Sequence, residues 1–355
     1  MRLSIGYRAF FGLLSLLSPP FVAQAAQPAP VRITQPTPRA VFQRNSRNFA
    51  LVPIAGSYQG QIKSIEARYV LRDASMSAIG TWSVLAHLPA TSTFSGILSV
   101  PAGGWYRIEV RTQPVAGAVA QAAVEKVGVG DVFITMGQSN SANHGKPAMR
   151  PRSDRVSAWG YSGWQVGADP QPFATGVGGS PWPVLGDYLV AHLGVPVAFI
   201  SVGYGGTRVA QWQPSGSLYK RLKNALTVVG PRGARAILWH QGEDDVVWGT
   251  SADQYAERLK AIINQSRLDA GWPIPWVIAA VSYVPQRGYE AKSAAVREGQ
   301  RKVIDGMTVF PGPRTDDLIG STLRYDGVHF TEAGLREHAR RWAAVMWNST
   351  PPVPE

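Results

Sequence analysis

Two short segments, far apart in the chain, carry side chains that together could form a nucleophilic centre. Residues 137–140 read Gly-Gln-Ser-Asn, and residues 326–329 read Asp-Gly-Val-His. A serine hydroxyl is a weak nucleophile until a histidine accepts its proton and a third group holds the imidazole in the required tautomer. In a loop, an aspartate three residues before a histidine can fold back onto its Nδ1 side. Ser139, His329 and Asp326 are therefore the candidate triad.

The strand that should position the serine is visible in the sequence. The apolar run 131–136 before Ser139 has the length of a β-strand, and a polar, turn-rich stretch follows. Ser139 is thus expected at the C-terminal tip of a strand, the edge at which open parallel α/β sheets bind ligands. Ser141, near the same tip, is an alternative nucleophile, and Glu243 and Asp245 are alternative partners for the histidine.

Two more blocks lie between these segments: Gly-Gly-Thr at 205–207 and Trp-His-Gln-Gly-Glu at 239–243. In this order, the four blocks resemble those of SGNH (GDSL-type) hydrolases, and most closely the branch of sialic-acid O-acetylesterases and acetylxylan esterases. The resemblance extends from about residue 130 to about residue 347. It implies an α/β fold, a three-layer α/β/α sandwich with a parallel sheet, and a carboxylic ester hydrolase that needs no cofactor.

The resemblance also implies an oxyanion hole, formed by the backbone N–H of Ser139, the N–H of Gly205 or Gly206, and the side-chain amide of Gln241. Most of the family has asparagine at the last position, and glutamine is typical of the sialic-acid and xylan branch. A donor placed where negative charge develops in the transition state contributes about 2.7–4 kcal/mol.

Further residues are candidates for supporting the site or binding substrate: Gln138, Asn140, Arg208, Trp212 and Glu243. Arg208 and Trp212 follow the second block, where they would offer a cation and an aromatic face to a sugar or its carboxylate; loop packing is the alternative. His240 ends an apolar strand, and because no second histidine lies at metal-ligand spacing, no metal is expected.

The N-terminus has the three zones of a secretory signal peptide, with a predicted cleavage near Ala25. Its apolar stretch is shorter than the roughly 20 residues that span a bilayer, so residues 1–25 predict an exported bacterial protein, periplasmic or secreted, without a membrane span. The chain has 355 residues and no cysteine, which excludes disulfides. This composition suits an exported protein that is stabilised by its core.

The rest of the chain falls into three regions with different sequence patterns. Residues 31–128 show short β-branched and aromatic segments separated by turn signals, which predict a small β-sandwich of immunoglobulin or fibronectin type. Its role is either a packing platform or a carbohydrate contact. Residues 130–348 alternate strands with helices, as in a parallel sheet covered by helices. Buried strands are predicted at 195–202, 234–239 and 276–281, and a helix is predicted at 252–268 after Ser251 as its cap. The Pro-rich tail 349–355 is expected to be disordered.

The formal net charge is +12, or +10 when the two arginines of the signal peptide are subtracted. The basic residues are scattered and form no run with aromatics between them, which argues against nucleic acid. The basic surplus either attracts the protein to acidic polysaccharide, cell wall or an anionic outer surface, or only aids its solubility. The expected partner is an acetylated carbohydrate, with an acidic glycan favoured over a neutral one, and no protein partner is predicted.

The predicted reaction is removal of acetyl groups from sugars through an acetyl-Ser139 intermediate. One alternative is an esterase or lipase for non-sugar esters. Another is an inactive carbohydrate-binding protein, whose mark would be a missing triad or oxyanion residue, and the chain fills every matched position.

Overall fold

The computed structural model describes residues 31–72 and 78–348 together with Pro351 and Pro354. The predicted signal peptide and most of the predicted disordered tail lie outside these residues. The N-terminal strands are β1 (Val31–Gln35), β2 (Val41–Gln43), β3 (Phe49–Tyr58), β4 (Ile62–Leu71), β5 (Ser83–Leu88), β6 (Thr93–Pro101), β7 (Trp105–Pro114) and β8 (Gln121–Gly137).

The remaining elements alternate between strands and helices. The strands are β9 (Val156–Gly160), β10 (Gly163–Val166), β11 (Val197–Ser201), β12 (Ala236–His240), β13 (Trp276–Ala280) and β14 (Val309–Arg314). The helices are α1 (Trp182–Leu193), α2 (Tyr219–Val229), α3 (Glu243–Trp248), α4 (Ala252–Ala270), α5 (Glu290–Arg301) and α6 (Glu332–Asn348). Within the described residues, no helix is both long enough and apolar enough to cross a membrane.

Strand β8 belongs to both halves of the molecule. Its first part pairs antiparallel with β7, and its second part pairs in parallel with β11 and β12. The predicted boundary between residues 128 and 130 therefore falls inside a strand, and the two halves share a sheet instead of meeting at a linker. Glycine permits the close crossing here, because a Cβ on Gly130 would lie 1.9 Å from the carbonyl oxygen of Pro196.

The N-terminal strands wrap around one apolar core. β1, β3 and β6 pair on one side, β4, β7 and the start of β8 pair on the other, and β5 hydrogen-bonds to both β4 and β6. Buried and exposed residues alternate along β3, as expected for a strand with one face in the core. The immunoglobulin or fibronectin type stays a prediction.

The second half has helices on both faces of its sheet, in the strand order β14-β13-β12-β8-β11-β9-β10. All neighbouring pairs are parallel except β9 and β10. Ile134 of β8 packs in a core cluster with residues of α2, α4 and α5, whereas Phe133 packs in a second cluster with residues of α1 and α6. This mixed α/β architecture confirms the predicted class.

A buried charge cluster ties the two halves together. The fully buried carboxylate of Asp131 accepts hydrogen bonds from Arg44 at 3.0 and 3.1 Å, from Arg235 at 2.8 Å and from Gln43 at 3.2 Å. Arg235 also donates to the carbonyl oxygen of Pro351 at 3.0 and 3.1 Å. These bonds link β2, β8 and the C-terminal segment.

The tail differs from the expected disorder at its two described residues. Pro351 and Pro354 are both buried, and the carbonyl oxygen of Pro354 accepts a hydrogen bond from the backbone N–H of Ser46 at 3.0 Å. The Pro-rich composition did not reveal that these carbonyls accept hydrogen bonds from the buried Arg235 and from the backbone of Ser46.

Asp131→Ala is expected to lower the free energy of unfolding by about 3–5 kcal/mol, because the buried guanidinium of Arg235 and the partly buried one of Arg44 would lose their counter-charge. Denaturant unfolding checks this, with Asp154→Ala as the matched control. Asp154 pairs with Arg39 and Lys126 but is exposed, so its loss should cost below about 1 kcal/mol. Equal effects of the two substitutions would contradict the assignment.

The rings of two buried histidines are in contact in the core, at an interplanar angle of 49°. The rings of His240 and His338 are 4.5 Å apart, both residues are fully buried, and Nε2 of His240 is 3.2 Å from Oγ1 of Thr315. Burial, helped by the charge of Arg324, lowers the pKa of His240 to about 3, so its ring is neutral in the folded protein.

Acidification should therefore destabilise the fold through His240. Between its ordinary pKa of 6.5 and the folded value of about 3, the unfolded chain binds the extra proton, so stability falls as the pH falls. Between pH 7 and pH 5 this amounts to about 2 kcal/mol. In His240→Gln that part of the pH dependence should vanish in denaturant titrations, and parallel pH profiles for wild type and variant would overturn the expectation.

Candidate active site

The nucleophile loop begins at a sharp turn at the end of β8. Gly137 has a φ of +136°, and a Cβ there would lie 2.0 Å from the carbonyl oxygen of His240 on the neighbouring strand. Only glycine fits this close passage without strain. The short 3-10 helix Ser139–Ser141 follows, and Ser139, only 5% exposed, lines an open cleft of about 580 Å³.

The C-terminal block folds back as its spacing predicts. Nδ1 of His329 lies 2.7 Å from Oδ2 of Asp326, while Oδ1 accepts the backbone N–H groups of His329 at 2.7 Å and Val328 at 2.9 Å. Gly327, with a φ of +84°, makes the turn between them.

These bonds set the charge state of the aspartate. Partial burial acts to raise the pKa of Asp326, but the hydrogen bonds from His329 and Val328 outweigh it and lower that pKa to about 2. An ionised acceptor on Nδ1 leaves Nε2 as the nitrogen free to accept a proton.

Ser139 and His329 line the same cleft. Among the described residues, no hydrogen bond joins the serine hydroxyl to the imidazole. Such contacts are often long in the absence of substrate and shorten when it binds.

A second histidine lies beside the first. The ring of His144 stacks on that of His329, with centroids 5.4 Å apart and an interplanar angle of 24°. Burial, followed by the charge of His329, lowers the pKa of His144, which favours its neutral form. Sequence reasoning missed this residue. Its only signal was its position in the polar stretch after the nucleophile.

The backbone N–H groups predicted for the oxyanion hole differ in whether a protein group already accepts their hydrogen bond. In the described chain, the N–H groups of Ser139 and Gly206 have no acceptor, and both residues line the cleft. The N–H of Gly205 instead donates to Oγ1 of Thr175 at 2.8 Å. Gly206 has a φ of +63° and open space at its Cβ position. Of the two glycines, Gly206 is therefore the one with a donor available to a ligand.

Gln241 does not reach the cleft, contrary to the prediction. It is fully buried, and its Nε2 donates to the carbonyl oxygen of Thr207 at 2.9 Å and to Oδ2 of Asp245 at 2.7 Å. Its Oε1 accepts the hydroxyl of Tyr255 at 2.9 Å. Because both amide hydrogens are already engaged inside the protein, Gln241 is a scaffold residue here and not a third oxyanion donor.

Gln138 offers the amide that Gln241 does not. Its Oε1 lies 3.3 Å from the backbone nitrogen of Gly242, 3.2 Å from that of Asp244 and 3.2 Å from Nε2 of Gln241. A backbone N–H can only donate, so these contacts fix which end of the Gln138 amide is the oxygen. Its Nε2 donates to no described protein atom, and the residue lines the cleft.

Asn140 and Glu243 connect the catalytic loops. Nδ2 of Asn140 donates to Oε1 of Glu243 at 3.0 Å and to the carbonyl oxygen of Val328 at 3.3 Å. Burial raises the pKa of Glu243 to about 7, and its buried Oε2 has no partner among the described groups. Both predicted supporting residues thus link the nucleophile loop, α3 and the histidine loop.

Of the two interpretations of Trp212, packing inside the protein is the one that the structure matches, and the ring does not face a ligand. Trp212 is fully buried, donates from Nε1 to Oγ1 of Thr207 at 3.1 Å and packs against Trp239 in the core. The guanidinium of Arg208 instead lies 4.0 Å from the ring centroid of Trp248, a side chain that is 65% exposed. The cation and aromatic pair exists, but α3 supplies the ring because the 3-10 turn after Arg208 directs Trp212 inward.

The alternative assignments do not fit the geometry. Ser141 is fully buried and absent from the cleft lining, so it cannot act as the nucleophile there. The Asp245 carboxylate accepts hydrogen bonds from Val209, Gln241 and Thr250, which makes it a structural group. In the part of the chain that the structure describes, no cluster of three or more His, Cys, Asp or Glu side chains could hold a metal ion.

Fold and sequence comparisons define the class. The fold resembles that of a carbohydrate acetylesterase from Xanthomonas citri, with a TM-score of 0.56 and 18% identity over 88% of this chain and 74% of that one. A second neighbour is a protein from Arabidopsis thaliana, with a TM-score of 0.50 and 21% identity over 62% of this chain and 98% of that one. At these identities the likeness shows the fold alone, which is the SGNH type that the four blocks predicted.

The family follows from sequence. The model described as "Carbohydrate esterase, sialic acid-specific acetylesterase" matches residues 129–348, and the chain belongs to that family. A probable carbohydrate esterase of Arabidopsis thaliana is 29% identical over 140 residues, which cover 38% of this chain and about half, 49%, of that relative. These findings support the predicted enzyme class, carboxylic ester hydrolase.

Proposed function

We propose that the protein is an exported serine O-acetylesterase that removes acetyl groups from carbohydrates. The observation that carries the proposal is the Asp326–His329 pair, which shares an open cleft with Ser139 at the carboxyl ends of the strands. The family adds the carbohydrate ester as substrate class. Export rests on the three-zone N-terminus alone. Protein recovered from outside the cytoplasm should begin just after Ala25, and protein that stays in the cytoplasm with an intact N-terminus would oppose export.

Ser139, His329 and Asp326 each have a separate role in the reaction. Nε2 of His329 takes the proton from Ser139 as the serine oxygen attacks the ester carbonyl carbon, and the C=O π electrons move onto oxygen. When the tetrahedral intermediate collapses, the sugar oxygen leaves with the proton from His329, and acetyl stays on Ser139. Water then gives a proton to His329 and attacks the acetyl carbon. When the second tetrahedral intermediate collapses, the bond from carbon to the Ser139 oxygen breaks, that oxygen takes the proton from His329, and acetate is released. Asp326 holds the imidazole tautomer and stabilises the imidazolium.

Three hydrogen-bond donors stabilise the oxyanion. They are the N–H groups of Ser139 and Gly206 and the Nε2 amide of Gln138, each of which is free of protein acceptors in the described structure and belongs to a residue that lines the cleft. Preorganised donors of this kind need no reorganisation as charge develops.

Gln138→Ala is expected to lower kcat for acetate release by about 10²–10³-fold, the loss typical of one oxyanion donor. Gln286→Ala is the matched control, because Gln286 also lines the cleft but is exposed. It should change kcat by less than about threefold, since it supplies no donor to the oxyanion. If the Gln138 variant changed KM alone, the donor would bind ground state and transition state equally.

Acetate release from a panel of O-acetylated sugars tests the function itself. The panel should contain acetylated neutral xylan fragments, acetylated acidic sugars and p-nitrophenyl acetate, each with wild type and Ser139→Ala. The proposal expects serine-dependent release that is faster from sugars than from the simple ester. Serine-dependent acetate release from the simple ester, without release from the acetylated sugars, would instead indicate a general esterase.

A further inference from the structure

A second, smaller pocket lies beside the catalytic cleft. It has a volume of about 180 Å³ and is formed between α2, the β9–β10 hairpin and the end of β11. Its lining is largely apolar and aromatic, with Trp159, Tyr161 and Phe173 on one side and the polar groups Arg221 and Asn224 on α2.

Residues that line this pocket contact residues that line the cleft. Tyr204 lines the cleft, and the guanidinium of Arg221 lies 5.3 Å from its ring centroid. Phe173 lines the second pocket, and Thr175, two residues later, lines the cleft. The two cavities are therefore adjacent, which is the arrangement that a ligand with two linked units requires.

Arg221 is a cation without a counter-charge. Its Nε donates to the carbonyl oxygen of Val202 at 3.0 Å and its Nη2 to that of Phe173, and among the described residues it forms no ion pair with a carboxylate. Burial lowers the pKa of its guanidinium, which shows that the charge is partly desolvated. A half-buried guanidinium beside a pocket suits a carboxylate ligand, which it can bind through parallel hydrogen bonds.

The other walls suit a sugar ring. Tyr161, at the hairpin tip, is 84% exposed and packs against Phe173 with ring centroids 4.5 Å apart. Such a large exposed aromatic face can cover the apolar face of a pyranose, and the exposed amide of Asn224 can bond its hydroxyls. At about 180 Å³, against about 580 Å³ for the cleft, the pocket holds one unit only.

We propose that this pocket is a subsite for a carboxylate-bearing sugar unit linked to the acetylated unit in the cleft, with Arg221 as the carboxylate-binding residue. The proposal rests on the proposed function, and it makes the preferred substrate an acidic oligosaccharide instead of a single sugar.

Arg221→Gln tests the subsite by comparison of substrates. We expect kcat/KM for an acetylated acidic disaccharide to fall by roughly tenfold or more, the usual loss of a charge-assisted hydrogen bond. The values for an acetylated neutral disaccharide and for p-nitrophenyl acetate should stay within about twofold. Lys220→Gln, which removes an exposed charge from the same helix outside the pocket, should change none of them.

Equal losses on all substrates would overturn the proposal, because they would show that Arg221 only clamps the carbonyl groups of Val202 and Phe173. Tyr161→Ala provides a second route, since its exposed side chain can be removed with little effect on folding. Tyr161→Ala should lower kcat/KM for the acidic disaccharide by about tenfold and leave kcat/KM for p-nitrophenyl acetate unchanged. No effect of Tyr161→Ala on the disaccharide would count against the subsite.

Binding separates this proposal from the proposed function. Calorimetric titration of the wild type with the deacetylated acidic disaccharide at low salt should give affinity that Arg221→Gln loses, whether or not the protein releases acetate. Arg221-dependent binding without acetate release would leave the subsite standing and reject the esterase function. Acetate release without Arg221-dependent binding would leave the esterase function standing and reject the subsite.

Discussion

Ser139→Ala is expected to lower kcat for acetate release by on the order of 10⁵–10⁶-fold, because it removes the hydroxyl that shares the cleft with the Asp326–His329 pair. Ser139 is the serine that lines the cleft together with His329. Substrate binding should survive, since the alanine removes one oxygen and keeps the backbone donors. Initial rates of acetate release, with thermal unfolding to show that the fold is intact, check the expectation.

Ser141→Ala is the matched control for that result. Ser141 lies in the same short 3-10 helix, but it is fully buried and its hydroxyl has no hydrogen-bond partner in the described chain. Its removal should change kcat by less than about threefold. Equal losses in both variants would indicate disturbance of the loop, and not removal of a nucleophile.

Asp326→Asn is expected to lower kcat by about 10⁴-fold with little change in fold. The asparagine oxygen can still accept the backbone N–H groups of Val328 and His329, as Oδ1 of Asp326 does now. Its NH₂ group, however, would donate to Nδ1 of His329. The proton would then reside on Nε2, which could no longer take the proton of Ser139.

Asp317→Asn controls for the loss of an acidic group near the same chain end. Asp317 pairs with Arg341 and lies outside the cleft lining. It should retain wild-type kcat, measured under identical conditions. If Asp326→Asn lost less than about tenfold, the tautomer role of Asp326 would be rejected.

Local sequence patterns predicted much of the hydrolase half. The helix predicted over 252–268 is α4, and Ser251 caps it by accepting the backbone N–H of Gln254. The buried strands predicted near Val195, Ala234 and Trp276 are β11, β12 and β13, shifted by up to two residues. These elements are long or strongly apolar, so their type is determined locally.

The misplaced residues depended on tertiary contacts. Gln241 lies in the right block, but Asp245 and Tyr255 engage its amide, and neither bond is visible in a spacing of motifs. Trp212 follows the glycine block as expected, yet it completes the apolar core around Trp239. Likewise, strand β8 continues through the predicted domain boundary, because its residues find partners on both sides that are distant in sequence.

Trapping of the acyl-enzyme tests the central claim most directly. Wild type is mixed with p-nitrophenyl acetate, quenched in acid within the first turnovers, digested and examined by mass spectrometry. We expect one acetyl group on the peptide that contains Ser139, no acetyl group on Ser141, and no acetylated peptide from Ser139→Ala. Turnover with no acetylated peptide, or acetyl on another residue, would contradict it.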